Sequence, residues 1–506
     1  MTAASRLLPR DGESGRETLF PRPGASPLAN APAFILLLAF SIFLFLRIDM
    51  SFPFSLSLII SLIAAAGWTA AGTECPNKRS AQVWALLSAA AVCGFFFLDY
   101  GIAPQPTAPS RVESRGVVLL ERKWGFGRVA LVSDSSAPGR YLLRLGRDAG
   151  GVPSHVSPGD VVSFSGAGAP FRRADERGGF DEFLYWRARG ALFAVENARA
   201  DVIGRSFGPP LWRNAVSARI REALPPRTAG YMLASWVGER DQAMAEFHRA
   251  AGTSHLLAVS GLHVGVVYAI CWFLLKGFKF RLWAISAVLW FYVFLTGASP
   301  SSVRAAAMIQ IVILGRILGC PSKPFNSVSA AGSAMLLHNP WLFWDVGWRL
   351  SMLAVLTLTS IYSFNALRSA KYIAASPMVW FATSLQAART FGPVPLAGIA
   401  INFFAVPAFG VLLPGASIFS LPAMAGVKFG YQAACVAESF FWAWEKFSDC
   451  LLFLCPWTVD FGVSATAAGA AALTVFFALG SGFSSGRAMF AALANAACLF
   501  IFISAI

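Results

Sequence analysis

Charged residues are scarce in this chain. Lys, Arg, Asp and Glu make up 13% of its 506 residues, whereas soluble domains carry about a quarter. Hydrophobic residues account for 56% of the chain, and the mean hydropathy is +0.59. A large soluble enzyme needs a polar shell that this composition cannot supply. The composition therefore excludes that class and predicts a membrane protein.

Patterns that bind metals or nucleotides are also lacking. None of the eight cysteines pairs in a CxxC motif, and no cysteine falls between positions 101 and 270. The five histidines form no dense motif with aspartate, and the chain has no Walker phosphate-binding loop. These absences argue against a zinc site, a disulfide-stapled exterior domain, a metal-dependent hydrolase and a nucleotide hydrolase. We therefore expect no catalytic residue, no metal and no other cofactor.

Seven uncharged stretches define the organisation of the chain, at residues 23–46, 50–73, 80–98, 282–303, 350–367, 461–486 and 488–506. Several reach the length of about 20 residues that a helix needs to cross the hydrocarbon core. The first starts late and is followed at once by two others, so we predict a retained anchor and not a signal peptide. The stretches predict a cytoplasmic tail at 1–30, three transmembrane helices at 31–100 and a transmembrane domain at 253–506, with about 10–12 spans in all.

Breaks are predicted within the helices of the 253–506 domain. They lie at Gly297–Pro300, at Pro393 with Pro395, at Pro407, and at Pro414–Gly415. Irregular backbone at membrane depth is tolerated only where protein or a wet cavity covers it. The breaks favour a channel or transporter over a passive anchor.

Residues 105–205 form a polar insertion with short alternating runs, which predict five strands at 116–120, 128–132, 140–145, 160–164 and 191–195. A helix is expected at Phe180–Arg189. Five short strands in about a hundred residues suit a small OB-type barrel better than a sandwich. The predicted fold is a polytopic α-helical membrane protein with an inserted small all-β OB-like domain.

The segment 206–252 is predicted to hold amphipathic interfacial helices. Between Trp212 and Leu224 the apolar residues share one helical face, and Arg213, Ser217 and Arg221 share the other. Such a helix lies in the membrane interface. An ordinary surface helix of the soluble domain is the open alternative.

Basic residues between the predicted spans define an orientation. With the N-terminal tail in the cytoplasm, the basic loops at 77–79, 276–281, 316–323 and 368–371 all fall on the cytoplasmic side, as the positive-inside rule requires. The chain is then a multi-pass bacterial inner-membrane protein with the OB-like domain outside. The net charge of +15 indicates nucleic acid or anionic lipid as a partner, or only the basic loops of such a protein.

Three clusters place polar groups in the predicted membrane domain. His255, Ser260 and His263 lie within about two helical turns, and they could hold helices together, line a polar path, or supply a nucleophile and its base. Arg304 follows three serines at a predicted break, where it could bind phosphate or extend to the interface. Asp345 and Arg349 stand four residues apart, a spacing at which they would pair on one helix, among tryptophans typical of an interfacial belt.

Cations and aromatics mix at two places in the OB-like domain. Lys123, Trp124 and Arg128 form one group, and Arg172 and Arg173 follow Phe171 in another. Single strands bind by stacking on aromatics and by attraction of the backbone to cations. Such pairs are also common on ordinary surfaces, so both interpretations stand.

The order of these features resembles the ComEC family, the inner-membrane DNA-internalisation proteins of natural competence. Residues 254–264, SHLLAVSGLHV, match the family signature, and the match extends over roughly residues 110–420 through the segments 178–190, 302–305, 339–340 and 396–407. In the segment 346–351, Trp-Arg stands where the family has a Phe-Gln-like pair. We also expect a form without the metallo-β-lactamase-like domain of many members, since no His-rich zinc motif is present.

The resemblance implies an uptake channel for single-stranded DNA. An OB-like outer domain would meet the DNA, and a helical domain in the lipid bilayer would conduct one strand past His255, Ser260, His263, Arg304 and Asn402. A separate DNA receptor, an ATP-driven motor and a nuclease would be partner proteins. Two alternatives stay open, namely a transporter of smaller anions or lipid precursors, and an intramembrane hydrolase that uses Ser260 and His263.

Overall fold

The computed structural model describes residues 32–49, 51, 53–59, 61–62, 93–102, 108–124, 127–135, 139–146, 156–173, 181–239, 241–257, 261–319, 324–364, 366–462, 469, 472–473 and 476–477. The predicted cytoplasmic tail, most of the second and third predicted spans, most of the stretch 461–486, the whole stretch 488–506, and Ser260 lie outside these residues. The described chain is mostly helical and contains a small β-barrel.

The barrel has five strands, β1 (Val112–Trp124), β2 (Gly127–Asp134), β3 (Arg140–Leu145), β4 (Asp160–Ala169) and β5 (Ala191–Arg205). The strand order is β1-β2-β3-β5-β4, and β4 pairs back onto β1 to close the barrel. All pairs are antiparallel except β3 with β5. The five predicted strands and their closure into a barrel are confirmed.

Strand β2 is buried on both faces. Ala130 and Val132 point into the barrel, whereas Val129 and Leu131 pack with Trp186 of a short helix outside it. Successive side chains of a strand point to opposite faces, so a strand covered on both faces is apolar throughout. This explains why the run at 129–132 does not alternate between apolar and polar residues.

The helices are, in chain order, α1 (Pro32–Ile48), α2 (Glu182–Arg187), α3 (Pro209–Ala223), α4 (Pro226–Met232) with a π-helix (Leu233–Val237), α5 (Gln242–Ala250), α6 (Gly261–Leu274), α7 (Arg281–Leu295), α8 (Pro300–Ile317), α9 (Pro324–His338), α10 (Val346–Ser363), α11 (Arg368–Phe391), α12 (Ala397–Met424) and α13 (Gly430–Leu454). Two 3₁₀ helices lie at Ser254–Leu256 and Pro340–Trp344, and the short strands Val394–Pro395 and Thr458–Val459 pair with each other.

Among the described residues, α12 is the one helix that is both long and apolar enough to cross a bilayer, by length and composition. Shorter apolar helices of 10–17 residues lie at Leu36–Ile48, Gly261–Leu274 and Arg281–Leu295. The helical character and the inserted barrel are therefore confirmed, and the number of spans stays a prediction.

The predicted helix breaks are correct at two places and wrong at two. The chain turns at Gly297–Ser299 between α7 and α8, and at Gly392–Leu396 between α11 and α12. Pro407 and Pro414 instead lie inside the continuous helix α12. A proline removes one backbone hydrogen bond, and neighbouring helices allow a buried helix to continue past it.

Two of the three polar-face residues of α3, Arg213 and Ser217, are buried, and Arg221 is exposed. Ser217 Oγ donates to Glu239 Oε1 at 2.6 Å, and Arg221 Nη2 donates to Glu239 Oε2 at 2.7 Å. Arg213 is buried, and its guanidinium lies against Gly297. The Arg213 contact attaches α3, which follows the last barrel strand, to the turn before α8, and the other two contacts attach it to Glu239.

Candidate functional site

The segment 251–257, which precedes α6, exposes two of its polar residues. Ser254 and His255 in the 3₁₀ helix are exposed, whereas Leu256 and Leu257 are buried and anchor it. His263 is buried in the first turn of α6. Of the two predicted path residues that the structure describes here, His255 is therefore accessible and His263 is not.

A buried histidine that sequence reasoning missed holds this segment in place. His248 has no exposed surface, and its Nδ1 lies 2.8 Å from Thr253 Oγ1. Its Nε2 lies 2.9 Å from Tyr231 Oη, so the imidazole bridges α4 and the segment. A lone histidine on an amphipathic helix gives no sequence signal for such a bridge.

Asn402 holds the same segment from the other side. Its Nδ2 donates to the carbonyl oxygen of Gly252 at 3.4 Å. Gly252 has φ +69° and packs closely against Pro395 and Gly398 at the start of α12, where a side chain would have little room. The structure thus gives the predicted path residue Asn402 a positioning contact with the segment.

Arg304 lies in the first turns of α8 and is 2% exposed. The serines before it bond among themselves, with Ser302 Oγ donating to the Ser299 carbonyl at 2.9 Å and Ser299 Oγ lying 3.0 Å from Ser302 Oγ. Arg304 Nε and Nη1 have no hydrogen-bond partner in the described part of the chain.

The helices that carry these residues meet one another. A side chain at Gly261, the first residue of α6, would lie 3.8 Å from the Cβ of Ala305, next to Arg304 in α8. The Asn402 contact joins α12 to the same segment. The structure therefore brings the elements that carry His255, His263, Arg304 and Asn402 together.

Helix α2 joins the two cation–aromatic groups of the barrel. Trp124 packs against Tyr185 and Trp186 of α2, with ring centroids 5.3 and 5.2 Å away. The guanidinium of Arg173 lies 4.3 Å from the centroid of Phe183, also in α2. Both predicted groups therefore lie at one side of the barrel.

The predicted cations on this side of the barrel differ in solvent exposure and in ion pairing. Lys123, Arg172 and Arg173 are exposed. Arg128 forms an ion pair with Glu121 at 2.8 Å. Because Glu121 compensates its charge, Arg128 is less suited than the other cations to bind a DNA phosphate. Arg122 was missed by sequence reasoning, and its guanidinium lies 5.2 Å above the Trp124 ring.

The other side of α2 docks on the helical part of the chain at a seam, which we define as Phe183–Gly190 and Asn339–Arg349. Phe183 meets Trp341 edge to face at 5.2 Å, and Arg187 lies 4.9 Å above the same indole. Asn339 Nδ2 donates to the carbonyl oxygen of Ala188 at 2.9 Å. Burial lowers the pKa of Arg187 below the ordinary value for arginine.

The predicted Asp345–Arg349 pair is wrong. Asp345 caps α10, its Oδ1 accepting from the Trp348 backbone N at 2.7 Å, and its Oδ2 lies 3.6 Å from Arg189 Nη1. Arg349 Nε donates to the carbonyl of Phe343 at 2.5 Å. An N-cap side chain turns back to the free N–H groups of the first turn, away from a residue four positions on.

Residues 236–499, which are more than half of the chain, match the model of the family described as "Competence: Competence protein". The chain belongs to the ComEC family. ComE operon protein 3 of Bacillus subtilis (strain 168) is 27% identical over 209 residues, which cover 39% of this chain and 27% of that relative. The match thus spans about a quarter of the relative's length. No solved structure matches the chain.

The family match includes the segment at 254–264 and Arg304, and the barrel lies before it in the chain.

Proposed function

We propose that this ComEC member is the inner-membrane channel through which one DNA strand enters the cell during natural transformation. In this proposal the chain crosses the membrane several times, its N-terminus is cytoplasmic and the barrel is extracytoplasmic. A separate DNA receptor, an ATP-driven motor and a nuclease work with it.

The buried guanidinium of Arg304 is the observation that carries the proposal. A buried charge is costly unless a partner balances it, and the described neighbours of Arg304 leave Nε and Nη1 without hydrogen bonds. The planar guanidinium matches phosphate oxygens, and a polyanion in a low-dielectric passage needs fixed positive charge. Arg304 beside the signature segment meets that need.

The exposed cations beside Trp124 form the proposed entry surface. Arg122, Lys123, Arg172 and Arg173 would attract the phosphate backbone. Trp124 is half-buried among these cations and would add an aromatic surface to the proposed entry surface.

Uptake of fluorescent duplex DNA by a transformable host tests the proposal. Deletion of the gene should abolish uptake, and complementation with Arg304→Ala should leave it at least about tenfold lower than wild type, the equivalent of about 1.4 kcal/mol. Arg219→Ala is the matched control, because Arg219 is a more exposed arginine paired with Glu222 on the surface of α3. Undiminished uptake in the deletion strain would contradict the proposal.

Transport of a smaller anion is the second candidate, because one buried guanidinium also fits a single phosphate or lipid headgroup. Proteoliposomes with the purified chain separate the two functions. A DNA channel passes an oligonucleotide, whereas a transporter of small anions passes inorganic phosphate and excludes the oligonucleotide.

A further inference from the structure

The ends of α6, α7 and α8 bring two arginines to one tryptophan. The guanidinium of Arg281, the first residue of α7, lies 4.1 Å from the ring centroid of Trp272 in α6. The guanidinium of Arg316, in the last turn of α8, lies 4.9 Å from the centroid of the same ring. Because both guanidinium groups contact one indole, the fold holds two like charges close together.

A tyrosine one turn earlier in α6 completes this arrangement. Tyr268 stacks on Trp272 with ring centroids 5.8 Å apart, and its hydroxyl accepts from Arg316 Nη1 at 3.0 Å. A cation over an aromatic face is attracted by the ring without a hydrogen bond to it, so both guanidinium groups keep N–H donors for another acceptor. We call Tyr268, Trp272, Arg281 and Arg316 the basic–aromatic cluster.

The positive charge of the basic–aromatic cluster is not paired within the described part of the chain. No ion pair there includes Arg281 or Arg316. The sequence has no Asp or Glu between positions 247 and 344. Lys276 and Lys279, which are exposed between α6 and α7, add further positive charge. The cluster therefore favours an anionic ligand.

The residues next to the cluster in the chain are apolar and exposed. Phe273, Leu274, Phe280 and Leu318 are each more than half exposed. A phospholipid offers a phosphate and acyl chains side by side, so it would cover these side chains while it binds the arginines. A nucleic acid strand would satisfy the arginines and leave the apolar side chains in water. The surroundings of the cluster therefore favour a lipid.

We propose that the basic–aromatic cluster binds the phosphate of an anionic phospholipid in the cytoplasmic leaflet. This inference rests on the membrane placement in the proposed function, in which the loop between α6 and α7 is cytoplasmic. The planar guanidinium matches phosphate oxygens, and the cytoplasmic leaflet supplies anionic headgroups. A phosphate bound by both arginines would also link the end of α8, the helix that carries Arg304, to the start of α7.

Native mass spectrometry of the full-length chain in detergent tests the proposal. Phosphatidylglycerol is the probe, and phosphatidylcholine with the same acyl chains is the reference. The wild type should bind the first phosphatidylglycerol about tenfold more tightly than phosphatidylcholine. Arg281→Gln and Arg316→Gln should each weaken phosphatidylglycerol binding about fivefold and leave phosphatidylcholine binding unchanged.

Arg368→Gln is the matched control. Arg368 is an exposed arginine at the start of α11, in a loop that is also predicted to be cytoplasmic. No aromatic ring among the described residues holds its guanidinium. General attraction between basic loops and lipid would make Arg368→Gln as harmful as Arg281→Gln, whereas the cluster predicts wild-type affinity for Arg368→Gln.

Several outcomes would overturn the lipid site. They are equal affinity of the wild type for both lipids, and equal losses in folded Arg281→Gln and Arg368→Gln. If Arg281→Gln does not fold, Arg316→Gln decides, because Arg316 is exposed. Displacement of phosphatidylglycerol by inorganic phosphate would assign the cluster to a free anion, and displacement by oligodeoxythymidylate would assign it to a DNA strand.

Failure of the lipid site can be distinguished from failure of the channel proposal. Loss of lipid preference leaves the uptake result of the deletion strain unchanged, so the channel proposal would stand. Undiminished uptake in that strain would contradict the channel and would leave the measured lipid affinities as they are.

Discussion

Gly297 shows how tightly a single residue can be constrained at the turn before α8. Its φ is +78°, and the position of a Cβ atom is occupied by the Arg213 guanidinium. Gly297→Ala should therefore destabilise the chain by about 1–3 kcal/mol, because it combines a left-handed backbone with a collision. Thermal unfolding in detergent measures the loss.

Gly265→Ala is the control for that prediction. Gly265 lies inside α6 with nothing within 4 Å of a new Cβ, so alanine there should leave stability unchanged or raise it. An equal loss of stability in both variants would contradict the role of Arg213 at the turn.

At the residue scale, the sequence indicated which charged residues stand out but not which residues they contact. Arg304 could be singled out because an arginine beside serines at a helix break is unusual in an apolar region. Its burial, the compensation of Arg128 by Glu121 and the bridge through His248 all depend on residues brought together by the fold. No spacing along the chain encodes these contacts.

Arg227 joins two elements far apart in the chain, α4 and α13. Its Nε lies 2.8 Å from Glu445 Oε2, and Glu438 accepts from the Thr228 backbone N at 2.7 Å. Arg227→Ala leaves the Glu445 carboxylate half-buried without its partner, so it should cost about 1–2 kcal/mol. Arg227→Ala combined with Glu445→Gln should recover part of that loss in thermal unfolding.

Lys446→Ala provides the comparison for Arg227→Ala. Lys446 pairs with Asp449 on the exposed face of α13 at 3.4 Å, and such surface pairs contribute about 0–1 kcal/mol. If Arg227→Ala proved as mild as Lys446→Ala, the ion pair would not be what fastens α4 to α13.

Elements were predictable where the signal is local. Each barrel strand appeared as a short apolar run between turn residues, and the two breaks at Gly297 and Gly392 carry positive-φ glycines. The continuity of α12 through Pro407 and Pro414 was not predictable, because it depends on neighbours that pack around the helix. The same limit applies to α3, because its amphipathic pattern did not show that Ser217 bonds to Glu239.

The docking of the barrel is a property of the whole molecule that local patterns did not show. Segments 178–190 and 339–351 each stood out by resemblance to the ComEC family, and the structure places parts of them in contact through Phe183, Trp341 and the Arg189–Asp345 pair. Contacts over 150 residues apart in the chain leave no periodicity in the sequence. They do join α2, which packs against the proposed DNA entry surface, to the helical part of the chain.

The direction of α8 predicts the placement of the barrel relative to the membrane. The turn before α8 contacts Arg213 of α3, the helix that follows the last barrel strand, and Arg316 lies near the end of α8. At 1.5 Å per residue, this 18-residue helix extends about 27 Å, close to the thickness of the hydrocarbon core. The barrel and the end of α8 should therefore face opposite sides of the membrane.

Cysteine labelling measures that separation. In a variant with all eight native cysteines replaced by serine, Ser110→Cys beside the barrel and Leu318→Cys after α8 place a thiol at two exposed positions without changing the charge. A membrane-impermeant maleimide should label Ser110→Cys in intact spheroplasts and Leu318→Cys only after the membrane is opened. Labelling of both positions in intact spheroplasts would place the barrel and the end of α8 on the same side of the membrane and would contradict a crossing by α8.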